Sequence, residues 1–137
     1  RCRKLQAELV VSNLLNVPAV TDIVGDKRAL ARLAHNTHLP ALVYNVVSDV
    51  PNVMVDYSNP TLYKARVQIN PLAKTVAEVK GIQDAIAQAM NFKQNVKVGE
   101  ALVVWCRLDL TNQMDKNDET AVWTQAVDYL LDYYPQV

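Results

Sequence analysis

Glycine is scarce in this chain, with only Gly25, Gly81 and Gly99. No G-x-G can be written from them, so there is neither a dinucleotide fingerprint nor a P-loop. No G-x-S-x-G nucleophile elbow is present. Cysteine is limited to Cys2 and Cys106. That is too few for a disulfide framework, and two reduced thiols of a cytosolic protein are expected. Neither sign of charge is in excess: 14 basic residues balance 14 acidic ones. A general nucleic-acid footprint needs clustered excess positive charge, which this balance disfavours. The same balance leaves little repulsion against self-association. Apolar runs stop after a few residues, too short to cross a membrane as a helix, and no signal-peptide core follows the basic "RCRK". His35 and His38 form an H-x-x-H pair, but a metal site would need one or two more ligands, and none lies nearby in sequence. Two exposed loop histidines are expected there.

Hydrophobic residues, by contrast, make up 50% of the 137 positions. That suits one folded domain over 1–137 with one sizeable core. Residues 4–16 carry Leu5, Leu9 and the Val10/Asn13/Leu14 region at helical spacing. Pro18 opens a second short helix that Gly25 stops. "DKRALARLAHNTHLP" reads as a short strand or extended segment and then a loop ending at Pro40. Residues 41–50, rich in β-branched and aromatic side chains, predict a strand. Pro51 and Pro60 then bracket an arm with apolar cargo: Val53, Met54, Val55 and Tyr57. Residues 61–70 alternate, with Ala65, Val67 and Ile69 on one side and Lys64, Arg66, Gln68 and Asn70 on the other. Pro71 is expected to end that strand. Thr75 and Glu78 fit a capping box for a helix from about Thr75 to about Asn91, whose stripe is Val79, Ile82, Ile86 and Ala89 or Met90. A short strand is expected at Val96–Val98 and a long one over 101–111. In the long strand, strict alternation puts Leu102, Val104, Cys106, Leu108 and Leu110 on one face. Val103, Trp105, Arg107 and Asp109 fall on the other. "NQMDKNDET" predicts a charged hairpin loop. A last strand over 120–134 aligns Trp123, Val127, Tyr129, Leu131 and Tyr133. The fold class that follows is α+β: an antiparallel sheet of about four strands with helices packed on one face.

Carboxylates gather at Asp115, Asp118 and Glu119 in the hairpin tip, and at Asp128 and Asp132 on one strand face. Neither group has a paired base or nucleophile, so the sequence predicts no enzyme and no cofactor. Of the aromatics Tyr44, Tyr63, Trp105, Trp123, Tyr129, Tyr133 and Tyr134, about half suit ordinary core packing; the rest suit burial by another chain.

Leu39-Pro40, Val43-Tyr44, the strand Ala65 to Ile69, the helix after it and the final Val127-Asp128-Tyr129 occur in a particular order and spacing. In this the chain resembles the tail-completion, or tail terminator, proteins of long-tailed bacteriophages over about Leu5 to Tyr134. The resemblance implies a structural virion protein, assembled in the host bacterial cytoplasm and sited at the neck of the tail. It would form a homo-hexameric ring on the tail tube, stop tube polymerisation and join the head connector or stopper protein. Double-stranded DNA would pass through the lumen without sequence-specific binding. In such a ring Val53, Met54, Val55, Tyr57, Asp115, Lys116, Asp118 and Glu119 are candidates for contact with neighbouring subunits or tube. Lys64, Arg66, Gln68 and Asn70 are candidates for lumen or seam. Two alternatives stay open: another neck protein such as a head-side stopper, and a ferredoxin-like RNA- or effector-binding module.

Overall fold

The alternation that begins at Tyr63 decides how the sheet meets its helices. The computed structural model describes residues 6–24, 28–30, 39–52, 62–98, 101–118 and 121–134. The elements run α1 (Gln6–Leu15), α2 (Pro18–Val24), β1 (Arg28–Leu30), β2 (Ala41–Asn52), β3 (Leu62–Ala73), α3 (Val76–Met90), β4 (Lys93–Val98), β5 (Ala101–Thr111), β6 (Asp115–Asn117), β7 (Val122–Thr124) and β8 (Val127–Tyr134). The main sheet has the order β1-β2-β3-β8-β5-β4, and β7 pairs with both β3 and β6. Among the described strand pairs only β1 against β2 is parallel. The fold is therefore α+β, mostly antiparallel, with eight strands among the described residues rather than about four. The added strands are short. Three-residue β1, β6 and β7 carry too few residues to show a period.

Ala65, Val67, Ile69 and Ala73 of β3 are buried in one cluster with Tyr129, Leu131 and Tyr133 of β8 and with the apolar faces of all three helices. Each large side chain removed from water there contributes roughly 1.5–3 kcal/mol. In α1 the buried stripe is Ala7, Val10, Val11, Leu14 and Leu15, whereas Asn13 is exposed. Grouping Asn13 with the stripe was an error of about one residue in phase. Leu5 lies outside the described residues. In α3 the stripe is Val79, Ile82, Ala85, Ile86, Ala89 and Met90, as its spacing predicts. The Thr75 hydroxyl accepts from the Glu78 amide at 3.2 Å and donates to Glu78 Oε1 at 3.1 Å. The return contact of this cap thus comes from the hydroxyl, not from a backbone amide.

Two expectations fail on backbone detail. Pro71 does not end β3, which continues to Ala73, with Pro71 opposite Leu42. On its other side β3 pairs with β8 as far as Ile69 and with β7 from Leu72. Pro71 falls between those two ladders, where its missing amide costs no bond. Strict alternation in β5 also breaks. The register against β8 shifts between Val103 and Trp105 and again between Leu108 and Leu110. Each bulge adds a residue to one strand and re-aims the side chains beyond it. Ala101, Val103 and Cys106 are therefore the buried residues, while Leu108 and Leu110 are 36% and 49% exposed.

Candidate functional site on the helix-free face

The residues of β3 that alternate with its core positions lie on the face away from the helices. Cross-strand register arranges them and their neighbours in rows. Val50, Lys64, Asp132 and Trp105 form one row. Ser48, Arg66, Leu130 and Arg107 form the next, and Asn45, Gln68, Asp128 and Leu110 a third. Directly opposed side chains in such rows are close enough to interact.

Arg66 joins the second and third rows. Its guanidinium meets Asp109 at 2.8 Å and Asp128 at 3.2 Å. Asp109 lies two residues beyond outward-facing Arg107, at the β5 bulge between Leu108 and Leu110. The Asp109 hydrogen bond raises the Arg66 pKa above its ordinary value; burial opposes the rise and Asp128 adds to it. Asp128 is only 7% exposed. A carboxylate so placed needs partners to offset lost hydration. It accepts from Arg66, from Gln68 Nε2 at 3.4 Å and from Asn112 Nδ2 at 3.3 Å. Arg66 and Gln68 are thus tied into the subunit. Lys64 is exposed and makes no ion pair among the described residues, and Asn70 is half-buried.

The first two rows enclose a concavity of about 400 Å³. Trp105 and Leu130 contribute apolar surface, Lys64, Arg66 and Arg107 positive charge, and Asp132 the negative charge in the lining. The Arg107 guanidinium sits over the Trp105 ring, 4.8 Å from its centroid. Val50, also in the lining, is 59% exposed.

The β6–β7 hairpin lies at the far end of β3, where Leu72 and Ala73 pair with Thr124 and Trp123. Asp115, Lys116 and Asp118 are exposed there. Lys116 Nζ stands 5.5 Å from the centroid of the Trp123 ring. The base of the hairpin is a polar knot around Gln125, which is 9% exposed. Gln125 accepts from Lys80 at 2.7 Å and from Gln83 at 2.9 Å, and donates to the Asn112 carbonyl at 2.8 Å. Val53, Met54, Val55, Tyr57 and Glu119 lie outside the described residues, as do His35 and His38. Tyr44, Tyr129 and Tyr133 are buried; Tyr63, Trp105, Trp123 and Tyr134 are half-buried.

Sequence reading placed the β3 polar row but missed its partners Asp109, Asp128 and Asn112. Parity along each strand already put Arg66, Asp109 and Asp128 on outward faces. The signal lacking was the strand order, which brings β8 between β3 and β5. No cluster of three or more potential metal ligands occurs among the described residues.

The chain matches the family model "Tail completion protein gp17" over residues 8–132. It is similar in fold to a solved chain described as "Virion of native gene transfer agent (GTA) particle". The TM-score is 0.67 at 7% identity, covering 96% of this chain and 99% of that one. No curated protein matches the sequence. With the match running from the first turn of α1 to Asp132 of β8, the chain belongs to the tail completion protein gp17 family, structural proteins of the bacteriophage tail.

Proposed function

We propose that this protein is a tail terminator: a single-domain subunit of a homo-hexameric ring that seats on the end of the tail tube, halts its polymerisation and joins it to the head connector. The family match over 8–132 carries the reading. The near-complete overlap in fold with a virion-particle chain is consistent with it. DNA passes through the lumen without base-specific contacts, in keeping with a formal net charge of zero. The work is architectural, done by surfaces rather than by a reaction, and needs no cofactor.

A closed ring requires heterologous contacts, each subunit presenting two different patches. The arm between Pro51 and Pro60 and the tip from Asn112 to Glu119 are assigned to contacts with neighbouring subunits or the tube. The test is the mass of the purified chain in solution with negative-stain microscopy, alone and with tail tubes. A ring of about six subunits with a central hole is the symmetric form expected. Deleting 52–58 abolishes ring and tail assembly and leaves a folded monomer. A wild-type chain that stays monomeric both alone and on tubes overturns the reading, and so does normal assembly of the deletion for the role of the arm. Salt-sensitive retention on immobilised RNA would instead favour a nucleic-acid-binding module.

A further inference from the structure

We infer that the concavity between Val50, Lys64, Trp105, Arg107 and Leu130 is a socket for the acidic β6–β7 tip of the adjacent copy of this chain. The socket deepens the ring reading above and rests on it.

The composition of the concavity is that of a protein-binding centre. Tryptophan and arginine are enriched where interfaces carry most of their energy, usually in a pocket with apolar walls. Here Trp105 is stacked under Arg107, and Leu130 and the exposed Val50 complete the apolar surface. Three of the four charged residues in the lining are cations. Arg66 is neutralised within the subunit by Asp109 and Asp128. Lys64 is exposed, and Arg107 has only a 3.8 Å approach to Asp109. These two cations are therefore available to an anionic partner.

The β6–β7 tip supplies that anion. Asp115 and Asp118 are exposed, and Lys116, the cation between them, is engaged with Trp123. Asp115 Oδ1 also accepts from the Lys116 amide at 2.9 Å. The hairpin is anchored through Gln125, Asn112 and Asp128 to the same hydrogen-bond network that holds Arg66. The base of the hairpin and the Arg66 wall of the socket are thus joined by one hydrogen-bond network, and order present before docking lowers its cost.

Their placement rules out self-docking. The socket surrounds Lys64 near the start of β3, and the hairpin joins β3 at Leu72. Those positions lie roughly 27 Å apart along an extended strand, at about 3.3–3.4 Å per residue. A tip at one end of the sheet can fill a socket at the other end only in another subunit. The contact is head-to-tail, the type that generates rings when the rotation closes.

Charge reversal separates this assignment from the ring reading. Four proteins are compared by light scattering and negative stain: wild type, K64E/R107E, D115K/D118K and the quadruple combination. Wild type is expected to form rings. Each double variant is expected to weaken assembly at least tenfold, and the quadruple variant to recover most of it. Val50→Arg fills the socket from an exposed position without entering the core, and should also block assembly while keeping the wild-type circular dichroism spectrum. Wild-type rings that survive both reversals and Val50→Arg overturn the socket and leave the ring intact. Reversals that spare the ring but abolish capture of tube ends reassign the concavity to the tube protein and overturn it as a subunit seam. Loss of assembly without recovery in the quadruple variant also overturns the pairing. Absence of wild-type rings both alone and on tail tubes overturns both readings.

Discussion

Cys106 shows how position alone sets the chemistry of a side chain. It is wholly buried on the core face of β5. Burial, with a smaller contribution from Asp132, pushes its thiol up from 9.0 to about 12. Burial and the neighbouring Cys106 likewise push the Tyr129 hydroxyl from 10.0 to about 12. Both groups are neutral when protonated, so the folded state holds protons that the unfolded chain releases. Stability from this source is complete below about pH 9 and falls as pH rises toward 12, by about 1.4 kcal/mol per pH unit for each group titrating. Between pH 9 and 10 Cys106 is the first to contribute. Urea midpoints across that interval should fall less steeply in Cys106→Ala than in wild type, whatever the variant's overall loss of stability. Equal slopes would show that the thiol does not stay protonated on folding.

At the scale of elements, α3 was almost wholly legible before the structure. Its cap, stripe and limits follow from Thr75, Glu78 and the period of its apolar residues, because a helix is specified by local sequence. The core face of β3 was legible for the same reason. The phase of β5 was not. Its bulges at Val104 and Asp109 are set by pairing with β8, a partner about 25 residues away in sequence, and no local pattern announces them. Of the site, the polar row of β3 was legible but its use was not. Lys64 and Arg66 look equivalent in sequence, yet one is open to solvent and the other is fixed by two carboxylates. Gly81 stands in the interior of α3, where glycine costs roughly 1 kcal/mol against alanine. It is exposed, and a methyl group there would meet nothing within 4 Å. Gly81→Ala should therefore stabilise the fold by roughly 0.5–1 kcal/mol, since alanine loses less backbone freedom in a helix. The urea midpoint should rise with an unchanged denaturant slope. A lower midpoint would mean that another chain occupies that space.

The whole molecule couples a sheet that is apolar on one side to a mixed, partly exposed surface on the other. The helices cover the first side. On the second, Val50 is 59% exposed and lines the concavity with Trp105 and Leu130. Leaving that surface in water forgoes burial that assembly can supply, whereas the core is already satisfied within one subunit. Assembly and folding are then linked, because only the folded subunit presents both tip and socket. Anything that binds the native state alone raises its apparent stability with concentration, by about 2.7 kcal/mol when the partner stands at a hundredfold its dissociation constant. For a chain of this size each kcal/mol moves the melting temperature by a few degrees. Wild-type protein should therefore melt several degrees higher at high concentration than at low, and less so in strong salt, which screens the Lys64 and Arg107 contacts. K64E/R107E should melt at a temperature independent of concentration and close to the dilute wild-type value. Rings seen by microscopy together with a concentration-independent wild-type transition would mean that the ring adds no stability to its subunits, and a socket that binds through Lys64 and Arg107 would be the wrong description of the seam.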